Sequence, residues 1–401
     1  MSDFLQILGP IIVAFIATCW FQPHILEIAK EKNIVDNPDA RKLQRIPVPV
    51  MGGIVVVFGI LIGIMSSNLF LMGNINNMLA IIAAVVVIMF VGLVDDIRGL
   101  SPKIRFLIEI LIVLYLIYAT GNQINNFHGL WGVNILPNWA SVPLTIFACV
   151  GIINAINLID GVDGYSSGYC IMACLYFGYT FFLLGNLSMV ILAAIMIAAL
   201  IPFFCCNVFG KHSKMFIGDA GTLSMGLLIS TFVRNMLTAT TDSTPIAANI
   251  GLIPLSLAIM CVPIFDTLRV MSARIVRGTS PFHPDKTHLH HAFIDLGFSH
   301  IGTTFSILCL NTFVVICWLV TYKLGASIDV QLYVVMALSV FITFGLYGFV
   351  QHHLKYDTKT LKVLKRIGRA THIERKGIWG VMQKWFDRNS TPKETERGTI
   401  A

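Results

Sequence analysis

Four short stretches of this 401-residue chain gather the side chains able to do chemistry. The first is Asp95-Asp96-Ile97-Arg98-Gly99, directly after an apolar run. Two adjacent carboxylates at a helix C-terminus oppose the macrodipole, so the placement asks for a cation. The second runs from Asn154 through Asn157, Asp160, Gly161 and Asp163 to Gly164. Its two amides share a helix face at i, i+3, and its glycines loosen a turn carrying two carboxylates. It lacks the third acidic position and terminal Glu of an EF-hand loop. The third opens at Asn207 and ends Met215-Phe216-Ile217-Gly218-Asp219-Ala220-Gly221, where Asp219 is placed both to cap a helix and to hold Mg²⁺. The fourth, Arg277 to His291, contains His283, His288, His290 and His291. Four histidines suggest zinc, but no Cys is near and the carboxylates favour a hard cation, so we read them as donors to phosphate oxygens beside Arg277 and Lys286. A basic stretch, Arg41-Lys42-Leu43-Gln44-Arg45, precedes Pro47 to Gly53.

Carboxylates with cations describe a site for Mg²⁺ and a polyphosphate, in which the metal neutralises phosphoryl oxygens and positions them for in-line attack. Because every cluster adjoins an apolar run, the site lies flush with lipid. That implies one soluble and one lipid substrate, the obvious pair being a nucleotide-activated donor and a lipid phosphate.

The elements that must position these residues follow from composition. Hydrophobic residues make up 56% of the chain and charged ones only 12%, about half the charged share of a soluble domain. A soluble core, a disordered chain and a secreted disulfide scaffold are excluded. The expected fold is an all-α polytopic membrane protein with about eleven transmembrane helices, near 4 to 22, 52 to 72, 78 to 94, 104 to 120, 142 to 159, 165 to 184, 187 to 206, 221 to 237, 247 to 271, 301 to 324 and 330 to 351. Of 28 Lys and Arg, all but Arg234 and Lys323 fall in the segments of one side. The positive-inside rule therefore puts the C-terminus and the chemical clusters in the cytoplasm and the N-terminus outside. The first run lacks a basic n-region and a small-residue cleavage site and reads as a retained helix. All nine cysteines lie in or beside the apolar runs and read as packing residues. The net charge of +7 is thus a topology signal, not a sign of nucleic-acid binding.

These motifs, in this order, resemble the polyprenyl-phosphate N-acetylhexosamine-1-phosphate transferases, within glycosyltransferase family 4, and among them the bacterial WecA/TagO-like branch. The resemblance covers nearly the whole membrane region, from PVPVMGG through DDIRG, NAINLIDGVDG, MFIGDAG and SPFHPDKTHLHH. It implies transfer of a sugar 1-phosphate from a UDP-N-acetylhexosamine to undecaprenyl phosphate with release of UMP, Mg²⁺ required and Mn²⁺ a substitute. It implies the bacterial cytoplasmic membrane, an active site on the cytoplasmic face and the first step of a cell-surface glycan. Asp219 matches the principal metal carboxylate and Asn157 a second ligand. Asp95 and Asp96 match the acidic pair that activates the lipid phosphate or supports the metal, and Asp160 joins them as catalytic. Asp163 matches a uracil contact. Lys103, Arg105, Arg45 and Asn207 complete the substrate-binding set, with His288, His290 and His291 near the sugar phosphate. Direct attack by the prenyl phosphate on the β-phosphorus is the preferred route and a phospho-aspartate the alternative. Gln44 stands where many relatives have His, and Tyr165 where Leu is frequent. The HxHH pattern, in place of PxHHH, favours a simple UDP-N-acetylhexosamine over the peptide-bearing donor of the muramyl-pentapeptide transferases.

An ion-coupled transporter would spread carboxylates through mid-span, whereas here Glu109 is the partial exception to a one-sided distribution. A lipid-binding scaffold would not need five acidic residues in three motifs. Residues 1–352 form the expected catalytic membrane domain. The tail 353–401 is strongly basic, and Ile378, Val381, Met382 and Trp385 at helical spacing suggest an interfacial helix, with plain disorder the alternative. Dimerisation is left open.

Overall fold

A backbone in lipid has no water to bond, so long apolar runs close their hydrogen bonds within helices. The computed structural model describes residues 2–38, 46–67, 75–238, 250–281, 286–356, 358–372 and 377–388. The basic loop that contains Gln44 and Arg45 lies outside them, as does His283. Along the chain come α1 (Ser2–Glu31), α2 (Gly52–Met65), α3 (Ile75–Arg98), α4 (Pro102–Thr120), α5 (Asn138–Leu158), α6 (Tyr165–Leu183), α7 (Leu187–Phe209) and α8 (Gly218–Met236). They are followed by α9 (Leu252–Ile259), α10 (Cys261–Val276), α11 (Leu289–Asp295), α12 (His300–Lys323), α13 (Ile328–Val340), a π-helical turn, α14 (Tyr347–Tyr356), α15 (Lys359–Ala370) and α16 (Ile378–Asp387). The strands β1 (Val35–Asp36) and β2 (Val48–Pro49) form a small antiparallel ribbon.

Among the described residues seven helices are long and apolar enough to cross a membrane, and eight if the bent pair α9–α10 is one span. The chain is an all-α, multi-pass membrane protein. Each of the eleven expected runs is overlain by a helix, but three fall short by length or composition. α2 has 14 residues, α4 carries Lys103, Arg105 and Glu109, and α8 is rich in Gly, Ser and Thr. The last of these is the centre of the bundle: nearly all of α8 is buried, against α3 and α5 most extensively. Small side chains let backbones approach closely where lipid offers no hydrophobic drive to pack.

The expected span over 247–271 is broken at Met260, where α9 and α10 meet at 72°. Pro263, in the first turn of α10, has no N–H to continue the ladder. Asn311 of α12 satisfies the groups this frees, donating to Ile259 O at 2.9 Å and accepting from Val262 N at 3.2 Å. The bend aims α10 toward the histidine segment. In the tail, α15 docks Leu361 into a small apolar cluster with Leu296 and Val350, and Ser299 donates to Thr371 O at 2.7 Å. The helical spacing read around Ile378 is realised in α16, which leaves Val381 and Trp385 exposed and sets Trp379 edge to face against Phe209 of α7.

Candidate active site

Three helix ends converge to make the acidic part of the site. Where α3 passes the start of α8, a Cβ on Gly92 would lie 2.5 Å from backbone atoms of Asp219 and Ala220, so only glycine permits the approach. The PVPVMGG segment is pinned to the same place through its backbone. Phe216 N donates to Pro49 O, and Gly52 N and Gly53 N donate to Phe216 O and Ile217 O, all at 2.7–2.8 Å. Asp96, at the end of α3, accepts from Asp219 N at 2.8 Å and Ala220 N at 3.0 Å. It therefore caps α8, satisfying two amides that every helix start leaves open. Gly218, at φ +67°, makes the turn under that carboxylate.

With the cap formed, the neighbouring carboxylates face one another. Asp95 accepts from Leu100 N at 2.6 Å and from Arg105 Nη1 at 3.0 Å. The same nitrogen is 3.5 Å from Asp219 Oδ2, and Arg105 Nε is 3.7 Å from Glu109. One guanidinium thus serves three carboxylates. Asn157 donates its amide to Asp219 Oδ1 at 2.6 Å and to Thr222 Oγ1 at 2.9 Å. The Asp219 side chain stays 32% exposed, so it is held firmly yet open to a ligand. Glu109 is almost fully buried and accepts from Asn154, while Lys103 is exposed at the start of α4.

Beside this cluster lies the Asp160–Gly164 turn. Asp160 is reached by solvent yet walled in by protein, and accepts from Ser166 Oγ at 2.5 Å. Enclosure raises its carboxyl to about 7, the neighbouring carboxylates Asp219 and Asp163 pushing the same way against the Ser166 hydrogen bond. Asp163 differs. Burial alone would raise it, but His300 Nδ1 at 2.9 Å and Lys214 Nζ at 2.6 Å outweigh that and hold it below the ordinary range. Asn207 is buried with both amide ends used: it accepts from Gly164 N at 2.7 Å and donates to Met215 O at 2.9 Å. It acts by holding the turn to the segment that leads to Asp219.

The histidines close the far side. His290 packs on Gly161, where a Cβ would lie 2.2 Å from its Nε2. Burial first, then His291 and His288, hold its imidazole well below the usual range, so it is neutral near pH 7. His288 is buried with Nδ1 2.9 Å from Asp266 Oδ2. Asp266 also accepts from Leu289 N and, at 2.6 Å, from Arg269 Nη2. Arg269 in turn lies 3.6 Å from the Tyr347 ring centroid. The ring of His291 lies 4.3 Å from that of His290.

The structure thus brings together Asp95, Asp96, Arg105, Asn157 and Asp219, and separately sets His290 against the turn of Asp160 and Asp163 with the rings of His288 and His291 beside it. Sequence reasoning passed over Lys214, Asp266, Arg269 and His300. Asp266 and Arg269 did leave a signal, an acid and a base one turn apart inside an apolar run. Among the described residues no three His, Cys, Asp or Glu are grouped as a ready metal cage. Asp219, partly exposed and an acceptor at both carboxylate oxygens, is a carboxylate of the kind that a hard cation takes one or two of.

The sequence pattern of glycosyl transferase family 4 matches residues 78–236, the stretch holding the acidic cluster and the Asp160–Gly164 turn. A Bacillus subtilis protein named probable undecaprenyl-phosphate N-acetylglucosaminyl 1-phosphate transferase is 30% identical over 352 residues, 86% of this chain and 91% of that protein. The Escherichia coli K12 undecaprenyl-phosphate alpha-N-acetylglucosaminyl 1-phosphate transferase is 28% identical over 393 residues, covering 94% and 98%. Its Yersinia pestis counterpart is 30% identical over 68% of this chain and 73% of its own. With its motifs in the expected order and relatives of this kind matched over 68–94% of its length, the chain belongs to glycosyl transferase family 4.

Proposed function

We propose that the protein transfers N-acetylglucosamine 1-phosphate from UDP-N-acetylglucosamine to undecaprenyl phosphate, giving undecaprenyl-pyrophosphoryl-N-acetylglucosamine and UMP, the first step of a cell-surface glycan. The observation that carries it is Asp219, partly exposed at the start of α8 and held between Asn157 and Arg105 beside Asp95. A phosphate oxygen of the lipid attacks the β-phosphorus, the bond from that phosphorus to the α–β bridging oxygen breaks, and the electron pair leaves with UMP. A phosphate monoester is largely dianionic at neutral pH, its second pKa being about 6, so no strong base is required. Asp96 is committed to the α8 cap and Asp95 to Leu100 and Arg105, which favours direct attack over a phospho-aspartate on either. Mg²⁺, or Mn²⁺ in its place, would be held by Asp219, with Asn157 at its edge, and would neutralise the pyrophosphate oxygens. Arg105 and Lys103 supply fixed positive charge to the phosphates. Lys214 and Asp163 define the nucleotide side, and His288 and His290 the sugar-phosphate side.

The reading includes eleven crossings, the N-terminus outside and the site on the cytoplasmic face of the inner membrane. Loop contacts support it. Segments holding nearly all the cations meet one another, as in Lys30 with His212 and Ser213 with Asp387. The cation-poor loops meet one another too, as in Asn122 with Asn235 and Trp131 with Asp329.

The test is UMP release by the purified protein in detergent, given undecaprenyl phosphate and UDP-N-acetylglucosamine with and without Mg²⁺, beside Asp219→Ala. Metal-dependent release that requires both substrates and is lost in the variant is expected. Folded protein that releases no UMP from UDP-N-acetylglucosamine, UDP-N-acetylgalactosamine or UDP-N-acetylmuramoyl-pentapeptide would refute the assignment.

A further inference from the structure

The loop between α7 and α8 carries Lys214 and delivers Asp219, and its first half is held by a group far away in sequence. The backbone amides of Lys211, His212 and Ser213 converge on Asp387 Oδ1 at 3.1, 2.9 and 2.9 Å, and Ser213 Oγ donates to the same oxygen at 2.8 Å. Successive amides turned inward in this way form a concavity for an anion. Asp387 is the last residue of α16, and its side chain is nearly buried. Burial would raise its carboxyl, but the amides and the hydroxyl together hold it below the ordinary range. Two further contacts make the arrangement specific. Phe209, the last residue of α7, lies between Trp379 and Phe386 of α16, with ring centroids at 4.7 and 6.4 Å. Lys30, from the end of α1, donates to His212 O at 2.8 Å.

Immediately after the concavity comes Lys214, whose Nζ is 2.6 Å from Asp163. Beyond it Met215 O is held by Asn207 and Phe216 by the PVPVMGG backbone. The loop is thus fixed at its far end by the membrane body and at its near end by the tail. A lysine is a point charge on a flexible stem, so what aims it is the backbone that carries it.

We propose that Asp387 is a positioning residue of the site: by filling the concavity, the C-terminal helix α16 fixes the loop that presents Lys214 at Asp163, on the side where the UDP-sugar binds. This rests on the donor-site reading given above. Without the carboxylate, three amides and a hydroxyl lose their acceptor, the loop relaxes, and Lys214 is no longer held toward the nucleotide. Chemistry at the β-phosphorus, set by the α3, α4 and α8 cluster, is left in place.

The experiment is a double-mutant cycle on the full-length protein in detergent, with UMP release as the readout. Asp387→Ala is expected to raise KM for the UDP-sugar about tenfold, the size of one lost charge-assisted contact, with kcat within about threefold. Asp387→Asn, which keeps an acceptor oxygen, recovers most of that loss. In a Lys214→Ala background Asp387→Ala adds nothing further, because it acts through that lysine. Hydrogen exchange reads the concavity without activity: amides 211–213 lose protection in Asp387→Ala while those of α8 do not. A parental KM in Asp387→Ala, or an equal added loss in the Lys214→Ala background, overturns the proposal. If Asp387→Ala does not fold, the same cycle with Asp387→Asn decides, its smaller rise in KM being required to vanish in the Lys214→Ala background. Loss of exchange protection with no UMP release from the parent would overturn the transferase reading and keep the docking.

Discussion

Gly92→Ala tests whether the acidic cluster is set by the approach of α3 to α8. The added Cβ would meet Asp219 C and Ala220 N and Cα at 2.5 Å, where ordinary contact begins at 3.4 Å, so backbones rather than side chains must separate by about 0.9 Å. Asp96 rides on α3 four residues later, and its bond to Asp219 N, now 2.8 Å, would open toward ~3.7 Å and be lost. Overpacking of this kind costs about 1–3 kcal/mol of stability, and a shift of about 1 Å at reacting groups costs about 100-fold in rate. The expected result is kcat for UMP release down about 100-fold, with a modest loss of Tm in detergent and little change in KM for either substrate. Gly151→Ala is the control. It also sits within an apolar helix, but its Cβ would meet nothing within 4 Å, and a helical Gly→Ala change is favourable by roughly 0.5–1 kcal/mol. A fully active Gly92→Ala, or a Gly151→Ala variant equally impaired, would show that helix approach does not set the site.

Arg105→Met should lower kcat/KM about 10- to 100-fold, the equivalent of a hydrogen bond to a charged group worth about 1.5–3 kcal/mol, since three carboxylates lose their shared cation; Arg105→Lys should recover part, and parental kinetics in Arg105→Met would contradict the geometry. Asp160, raised to about 7, is mostly protonated below that pH and charged above it. If the ionised form serves the reaction, kcat/KM for the UDP-sugar rises as pH passes through about 7; Asp160→Asn should lack that limb and keep the one near pH 6 that belongs to the lipid phosphate, and an unchanged profile would remove Asp160 from the reaction. Asp266→Asn should destabilise the protein by about 3–5 kcal/mol, read as Tm, because the buried Arg269 loses its carboxylate counter-ion. Adding Arg269→Met should restore part of that loss, and an additive double variant would show that the two do not act as a pair.

The clusters that make up the candidate site were legible because charge is scarce in this chain, and scarce charge near lipid is placed for a reason. Asp95, Asp96, Asp160, Asp163 and Asp219 each stood next to a glycine or a helix boundary, so local sequence located them. The helices were legible too, since each expected run is overlain by one. What local sequence does not carry is the partner. Asp163 beside Gly164 reads as an open turn, yet Lys214 and His300, 51 and 137 residues on, close over it. Asn311 looks like a stray amide in an apolar helix until the break between α9 and α10 supplies the backbone groups it binds. Asp266 was hidden because residues 247 to 271 were read as one apolar span, and the ion pair that Asp266 makes with Arg269 lies inside it.

The roles of the two carboxylates at 95–96 turn on the same point. Read alone, the pair sits at the wrong end of a helix dipole and asks for a cation. In the fold each has a different answer. Asp96 reaches the positive end of another helix, α8, where two amides and the macrodipole replace the cation; Asp95 finds Arg105 one turn into α4. The pair is therefore a joint between three helices before it is a reagent, and Asp219 is placed because Asp96 holds the amide of Asp219 itself. A substitution at Asp96 consequently moves Asp219, so a large loss of activity there does not identify Asp96 as a group that touches substrate. Asp96→Asn separates the two roles. An amide oxygen can still accept from Asp219 N while the charge is gone, so activity that survives in Asp96→Asn and fails in Asp96→Ala assigns the cap, and equal loss in both assigns the charge.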